Sequence, residues 1–137
     1  MPSSSRPSSS SRALVLWGPV ALYALGIFVE SSISQVPAFP SGFTDKDGHG
    51  LLYAGLAVLV LRAAAGARWD GVTLRAVVVA ALFASLYGIT DEFHQWFVPG
   101  RTADVYDWMA DTIGASVAVA AVWLVARVSQ GRGRRAA

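Results

Sequence analysis

Five of the nine acidic residues, one of the two histidines and one arginine fall within residues 87–114, YGITDEFHQWFVPGRTADVYDWMADTIG. The acids are Asp91, Glu92, Asp104, Asp107 and Asp111; His94, Gln95 and Arg101 stand among them. A second polar group, Asp45, Lys46, His49 and Tyr53, lies upstream in DKDGHGLLYAGL. Three chemistries suit these residue types. An imidazole beside carboxylates can move protons, with His49 as acid/base and Asp91 or Glu92 as its partner or as a nucleophile. Lys46 and Arg101 can bind a phosphate or a carboxylate. His49, Asp91, Glu92, Asp107 and Asp111 offer oxygen and nitrogen donors for a divalent ion, but their spacing matches no defined signature such as His-Glu-x-x-His. No metal site is therefore assigned and no cofactor is named. With no cysteine in the chain, thiolate chemistry and disulfides are excluded.

The elements that must hold these groups are apolar. Of 137 residues, 54% are hydrophobic and only 15% are charged, well below the roughly 25% usual in soluble domains. The mean hydropathy is +0.47, a membrane composition. Residues 1–12, MPSSSRPSSSSR, have no apolar face and read as a disordered tail. The first apolar run, ALVLWGPVALYALGIFV, carries no charge before Glu30, and with its flank it has the length of a membrane span. Pro19 lies in its first half, where neighbouring helices can absorb a kink. A cleaved signal peptide is the competing reading, and Val29-Glu30-Ser31 is a poor cleavage site for one. Residues 34–48 hold two prolines and two glycines and read as a loop.

The second run covers about 49–65. A helix beginning near Asp45 puts Asp45, Lys46, His49 and Tyr53 on one stripe, with the Tyr53 hydroxyl expected to satisfy His49. The third run covers about 72–90 and aligns Asp91 and Gln95 with Ala84 and Gly88; Pro99-Gly100 then breaks the chain. The fourth, about 108–128, aligns Asp107, Asp111, Gly114 and Ala118, a face of small residues with an acidic outer end. The expected fold is an all-α, four-helix membrane bundle over 13–128, followed by a basic tail at 129–137. Nine basic residues (Arg6, Arg12, Arg62, Arg68, Arg75, Arg127, Arg132, Arg134 and Arg135) belong to the tails and the middle loop, whereas Lys46 and Arg101 belong to the other side. The positive-inside rule then makes both termini cytoplasmic and puts the polar groups at the extracytoplasmic face of the plasma membrane.

The motifs DKDGHGLLYAGL at 45–56, DEFHQWFVPGR at 91–101 and DWMADTIGA at 107–115, with Glu30-Ser31-Ser32 closing the first span, resemble the VanZ-like family of small membrane proteins. Its Asp-Lys-x-x-His-x-x-x-Tyr pattern falls on Asp45, Lys46, His49 and Tyr53. Its Asp-Glu-x-x-Gln and Pro-x-Arg fall on Asp91, Glu92, Gln95, Pro99 and Arg101, and its next Asp falls on Asp107. Where the family commonly has Asn, this chain has Asp111, which when ionised only accepts hydrogen bonds. The resemblance implies a role in the bacterial cell envelope and, for the founding members, in resistance to teicoplanin-type glycopeptides.

Each motif also has a bland reading. Lys46 and Arg101 can pair with Asp45, Asp104 or Asp107 at the surface, where such pairs contribute about 0–1 kcal/mol. His94 reads better as an interfacial residue than as a site residue. Three function classes follow. An enzyme would act on a lipid head group or a lipid-linked envelope precursor through His49, Asp91 and Glu92, with Asp45, Lys46, Tyr53, Gln95, Arg101, Asp107 and Asp111 holding the substrate. A binding or shielding protein would use the same groove without turnover, and a structural protein would keep the network only to join helices. The basic C-terminal segment has no aromatic interleaving, so nucleic acid is not an expected partner.

Overall fold

The computed structural model describes residues 8–34, 42 and 44–135, with side chains up to residue 132. Four helices follow one another: α1 (Ser9–Ser31), α2 (Asp45–Ala64), α3 (Leu74–Gln95) and α4 (Val105–Arg135), with a 3₁₀ turn at Trp69–Gly71 between α2 and α3. No strand occurs among the described residues. The all-α, four-helix expectation holds.

Local chemistry sets the helix starts. Ser8 accepts the Ser11 N–H at 3.2 Å and Thr73 accepts the Ala76 N–H at 3.2 Å. Thr44 forms a capping box, its Oγ1 accepting the Asp47 N–H while Asp47 Oδ2 accepts the Thr44 N–H at 2.8 Å. A good cap contributes about 1 kcal/mol. The Ser8 cap lets α1 start at Ser9, so the expected tail of 1–12 is too long by four residues; residues 1–7 lie outside the described part. At the other end α4 continues to Arg135, and the basic segment expected as a tail from 129 is helical as far as that residue. The loop expected over 34–48 lies largely outside the described residues, and α2 begins inside it.

α2 is the central helix and packs against α1, α3 and α4. Its buried face runs through His49, Tyr53, Leu56, Ala57, Val60 and Leu61. α3 presents Ala76, Ala80, Ala84, Gly88, Asp91 and Gln95, the small-then-polar face anticipated from the helical repeat. On α4 the buried line is Asp107, Asp111, Ala115 and Val119, so Gly114 and Ala118 lie beside it, half-buried, rather than on it. Gly114 instead faces Gly50 so closely that a Cβ on it would strike the Gly50 carbonyl. Small residues here let two backbones touch. The outer surface is apolar: Leu22, Leu25, Leu82, Leu86 and Leu124 are exposed. With charge inside and leucine outside, the surface suits lipid rather than water. α1, α3 and α4 are long and apolar enough to cross a membrane, whereas α2, with charges at both ends, falls outside that group.

Candidate functional site

The C-terminal ends of α1 and α3 meet the N-terminal ends of α2 and α4 at one end of the bundle. His94 Nε2 is 3.0 Å from Ser32 Oγ, joining α3 to the end of α1, and its ring stacks on Phe28 at 4.4 Å. Lys46 at the start of α2 reaches α4. Two helix N-termini at this end favour the acids gathered there.

At its centre His49 Nδ1 lies 3.2 Å from Asp111 Oδ1, and both side chains are buried. Glu92 comes in from α3. Its Oε2 accepts the Asp104 N–H at 2.7 Å, while its Oε1 is buried without a partner among the described residues. One donor atom from each of His49, Glu92 and Asp111 lies within 4.8 Å of the others, and Asp45, His49 and Asp107 form a second such group. Gly88 makes room for this arrangement: a Cβ there would come within 3.1 Å of Asp111 Oδ2.

Above this core Lys46 Nζ donates to Asp107 Oδ1 at 2.6 Å and to Asp104 Oδ2 at 2.9 Å, with the Tyr106 ring 5.7 Å away. Asp104 also caps α4, its Oδ1 accepting the Tyr106 N–H at 2.8 Å. The Tyr106 N–H and then the Lys46 ammonium hold the Asp104 carboxyl below the usual range.

The residues singled out from sequence therefore divide. His49, Glu92, Asp111, Asp107, Lys46 and Asp45 come together around one end of the bundle. Asp91 and Gln95 are buried, but with each other, the Gln95 amide donating to Asp91 Oδ2 at 3.2 Å. Tyr53 is fully buried, yet its hydroxyl has no partner among the described residues, so the expected bond to His49 is not formed. Arg101 is half-buried in the turn after α3. Its backbone N–H bonds Val98 at 3.1 Å, and its guanidinium makes no ion pair among the described residues. Two contributors escaped the sequence reading. Asp104 appeared only as a possible surface partner, although an Asp just before an apolar run is a helix-start signal. Ser85 accepts from Trp108 Nε1 at 3.2 Å through its Oγ, which also lies 2.9 Å from Thr112 Oγ1, fixing α3 against α4; no short motif signals it.

Beside the cluster an open groove of about 720 Å³ runs between α2 and α4, from Lys46 and Asp47 past Gly50 and Ala54 to Val117 and Ala118. A smaller one of about 250 Å³ lies on the α3 side, against Glu92, Asp104 and Trp108. The arrangement thus offers a buried imidazole–carboxylate pair, a lysine held between two aspartates and an apolar channel leading away from them.

No curated protein and no solved structure matches the chain. The family model described as VanZ/LLP1 matches residues 27–126, from within α1 to near the end of α4, and so includes every one of these site residues. With three helices apolar and long enough to cross a membrane, the chain is a membrane protein that belongs to the VanZ/LLP1 family.

Proposed function

We propose that this protein modifies the head group of an envelope lipid or lipid-linked precursor at the extracytoplasmic face of the plasma membrane. His49 serves as general acid/base and Asp111 orients it. The observation that carries this reading is the buried His49–Asp111 pair beside a groove with a polar head and an apolar floor. An acyl chain fits the floor by its chemistry, and the head group then lies against Lys46 and Asp47 at the polar end, one turn from the buried imidazole. Glu92, fixed through one oxygen by the Asp104 N–H, is the second carboxylate within reach.

The side of the membrane follows from charge. The nine arginines of the tails and middle loop favour the cytoplasm, so α2 completes a fourth crossing, both termini are cytoplasmic and the site faces out. Family resemblance supports a role in the cell envelope and, by extension, in resistance to teicoplanin-type glycopeptides.

A second reading, a holder that shields a lipid without turnover, is favoured by Lys46. Its charge is already shared between Asp104 and Asp107, so it anchors α2 to α4 as well as it would anchor a substrate. Head-group turnover in proteoliposomes carrying the wild type or His49→Gln separates the two readings.

A further inference from the structure

We propose that His49, Glu92 and Asp111 form a binding site for a divalent transition-metal ion of the Zn²⁺ or Mn²⁺ type. The three ligands come from α2, α3 and α4, with one donor atom of each within 4.8 Å of the others. Ligands about 2.1 Å from a tetrahedral ion stand about 3.4 Å apart, so modest side-chain rotation closes the set. One imidazole and two carboxylates is a donor set that zinc and manganese accept.

Two buried atoms favour a cation here independently of the ligand spacing. Glu92 Oε1 and Asp111 Oδ2 are both shielded from solvent, and neither has a hydrogen-bond partner among the described residues; Asp111 is fully buried. A buried carboxylate oxygen left unpaired is unfavourable unless a positive charge meets it. The nearby cation does not fill that role, since Lys46 donates to Asp104 and Asp107 instead. The surroundings are already shaped for the ion. Gly88 leaves space beside Asp111 Oδ2, and the Asp104 N–H holds the other oxygen of Glu92 in place, as outer partners of metal ligands do.

The second group, Asp45, His49 and Asp107, shares the histidine but fits less well: Asp45 is exposed and Asp107 Oδ1 already binds Lys46. A sequence signature could not reveal the inner set, because its ligands lie 43 and 19 positions apart on three helices (92 − 49 and 111 − 92). The inference goes beyond the head-group reading and rests on it only for the ion's purpose, which is to give a strongly acidic site the positive charge that an anionic head group needs; because ion and proton compete for the same His49–Asp111 pair, the ion-bound protein holds the head group and the acid/base role of His49 belongs to the ion-free protein.

The test uses the full-length chain without a histidine tag, in nanodiscs, stripped by a chelator and titrated with Zn²⁺ or Mn²⁺ alone. One ion per chain is expected, with affinity at least about 100-fold weaker in Glu92→Gln and in Asp111→Asn, since loss of a ligand should exceed the 10–100-fold loss typical of an outer partner. Asp45→Asn should bind as the wild type does. Absence of stoichiometric binding of either ion, or undiminished binding in both inner variants, overturns the site; loss confined to Asp45→Asn moves the ion to the outer group and overturns the assignment. If the inner variants do not assemble, the Mn²⁺ electron-spin spectrum of the wild type decides: coupling to one imidazole nitrogen is expected, and a purely aquo-ion signal contradicts it. Turnover without metal binding refutes this site alone, and metal binding without turnover refutes the head-group chemistry alone.

Discussion

His49 Nδ1 and Asp111 Oδ1 meet at 3.2 Å across the interface of α2 and α4, both buried, so a polar contact shielded from solvent joins the two helices that pack most extensively. Its partners are not interchangeable. Asp111→Ala leaves the imidazole without its acceptor and should destabilise the bundle by about 1–3 kcal/mol. Asp111→Asn should cost less, because the amide oxygen still accepts from Nδ1–H. Reversible unfolding in mixed micelles measures both; equal effects would mean that the contact contributes no specific hydrogen bond.

Close backbone approach is the second feature that holds α2 to α4. A methyl group at residue 114 has nowhere to go but into the Gly50 carbonyl, so Gly114→Ala should destabilise by about 1–3 kcal/mol. Gly26→Ala, where an added Cβ meets nothing within 4 Å, should be neutral or slightly stabilising. The same unfolding measurement checks the pair, and a neutral Gly114→Ala would show that the helices do not touch there.

Acid should loosen the Lys46 anchor. The Asp104 carboxyl is held below its ordinary value of about 3.9 by the Tyr106 N–H and by Lys46. A depressed carboxylate adds stability that is complete above its unfolded value and is lost as pH falls through the lower folded one. Melting temperature should therefore drop below about pH 4 in the wild type and drop less steeply in Asp104→Asn. Identical acid profiles for the two proteins would contradict this.

Much of the bundle was legible in the sequence because its signals are periodic. The alignment of Ala84, Gly88, Asp91 and Gln95 follows from the helical repeat alone, and the structure buries that face. Asp107 and Asp111 were likewise readable as inward-facing, although the buried line continues to Ala115 rather than Gly114. What the repeat does not encode is which polar groups meet across helices. Tyr53 is as buried as expected, yet its hydroxyl does not bond His49 one turn away on the same helix, whose Nδ1 meets Asp111 on α4 instead. Arg101 lies in a turn, where no periodicity orients a side chain, and its guanidinium joins no ion pair among the described residues. The helix ends at Ser9 and Arg135 were missed because serine and arginine stretches carry no apolar face to mark a helix; Ser8 caps the first, and near the second Gln130 donates to the Trp69 carbonyl at 2.8 Å.

Orientation in the membrane is tested by reporters. A fusion after Ala137 should be active in the cytoplasm, and tags at Gly42 and Thr102 should be accessible from outside the cell. An external C-terminus would overturn both the four-crossing arrangement and the outward-facing site.

Proton transfer at His49 is the centre of the functional account. His49→Gln keeps a polar side chain that donates and accepts hydrogen bonds but cannot shuttle a proton. The direct measurement is head-group turnover of envelope lipids in proteoliposomes containing the wild type or His49→Gln, with lipid retention by each protein measured in parallel. The account predicts turnover by the wild type, reduced on the order of 10²- to 10⁴-fold in the variant while retention is largely kept. Retention by both proteins with no turnover by the wild type would contradict it and leave a shielding protein in its place.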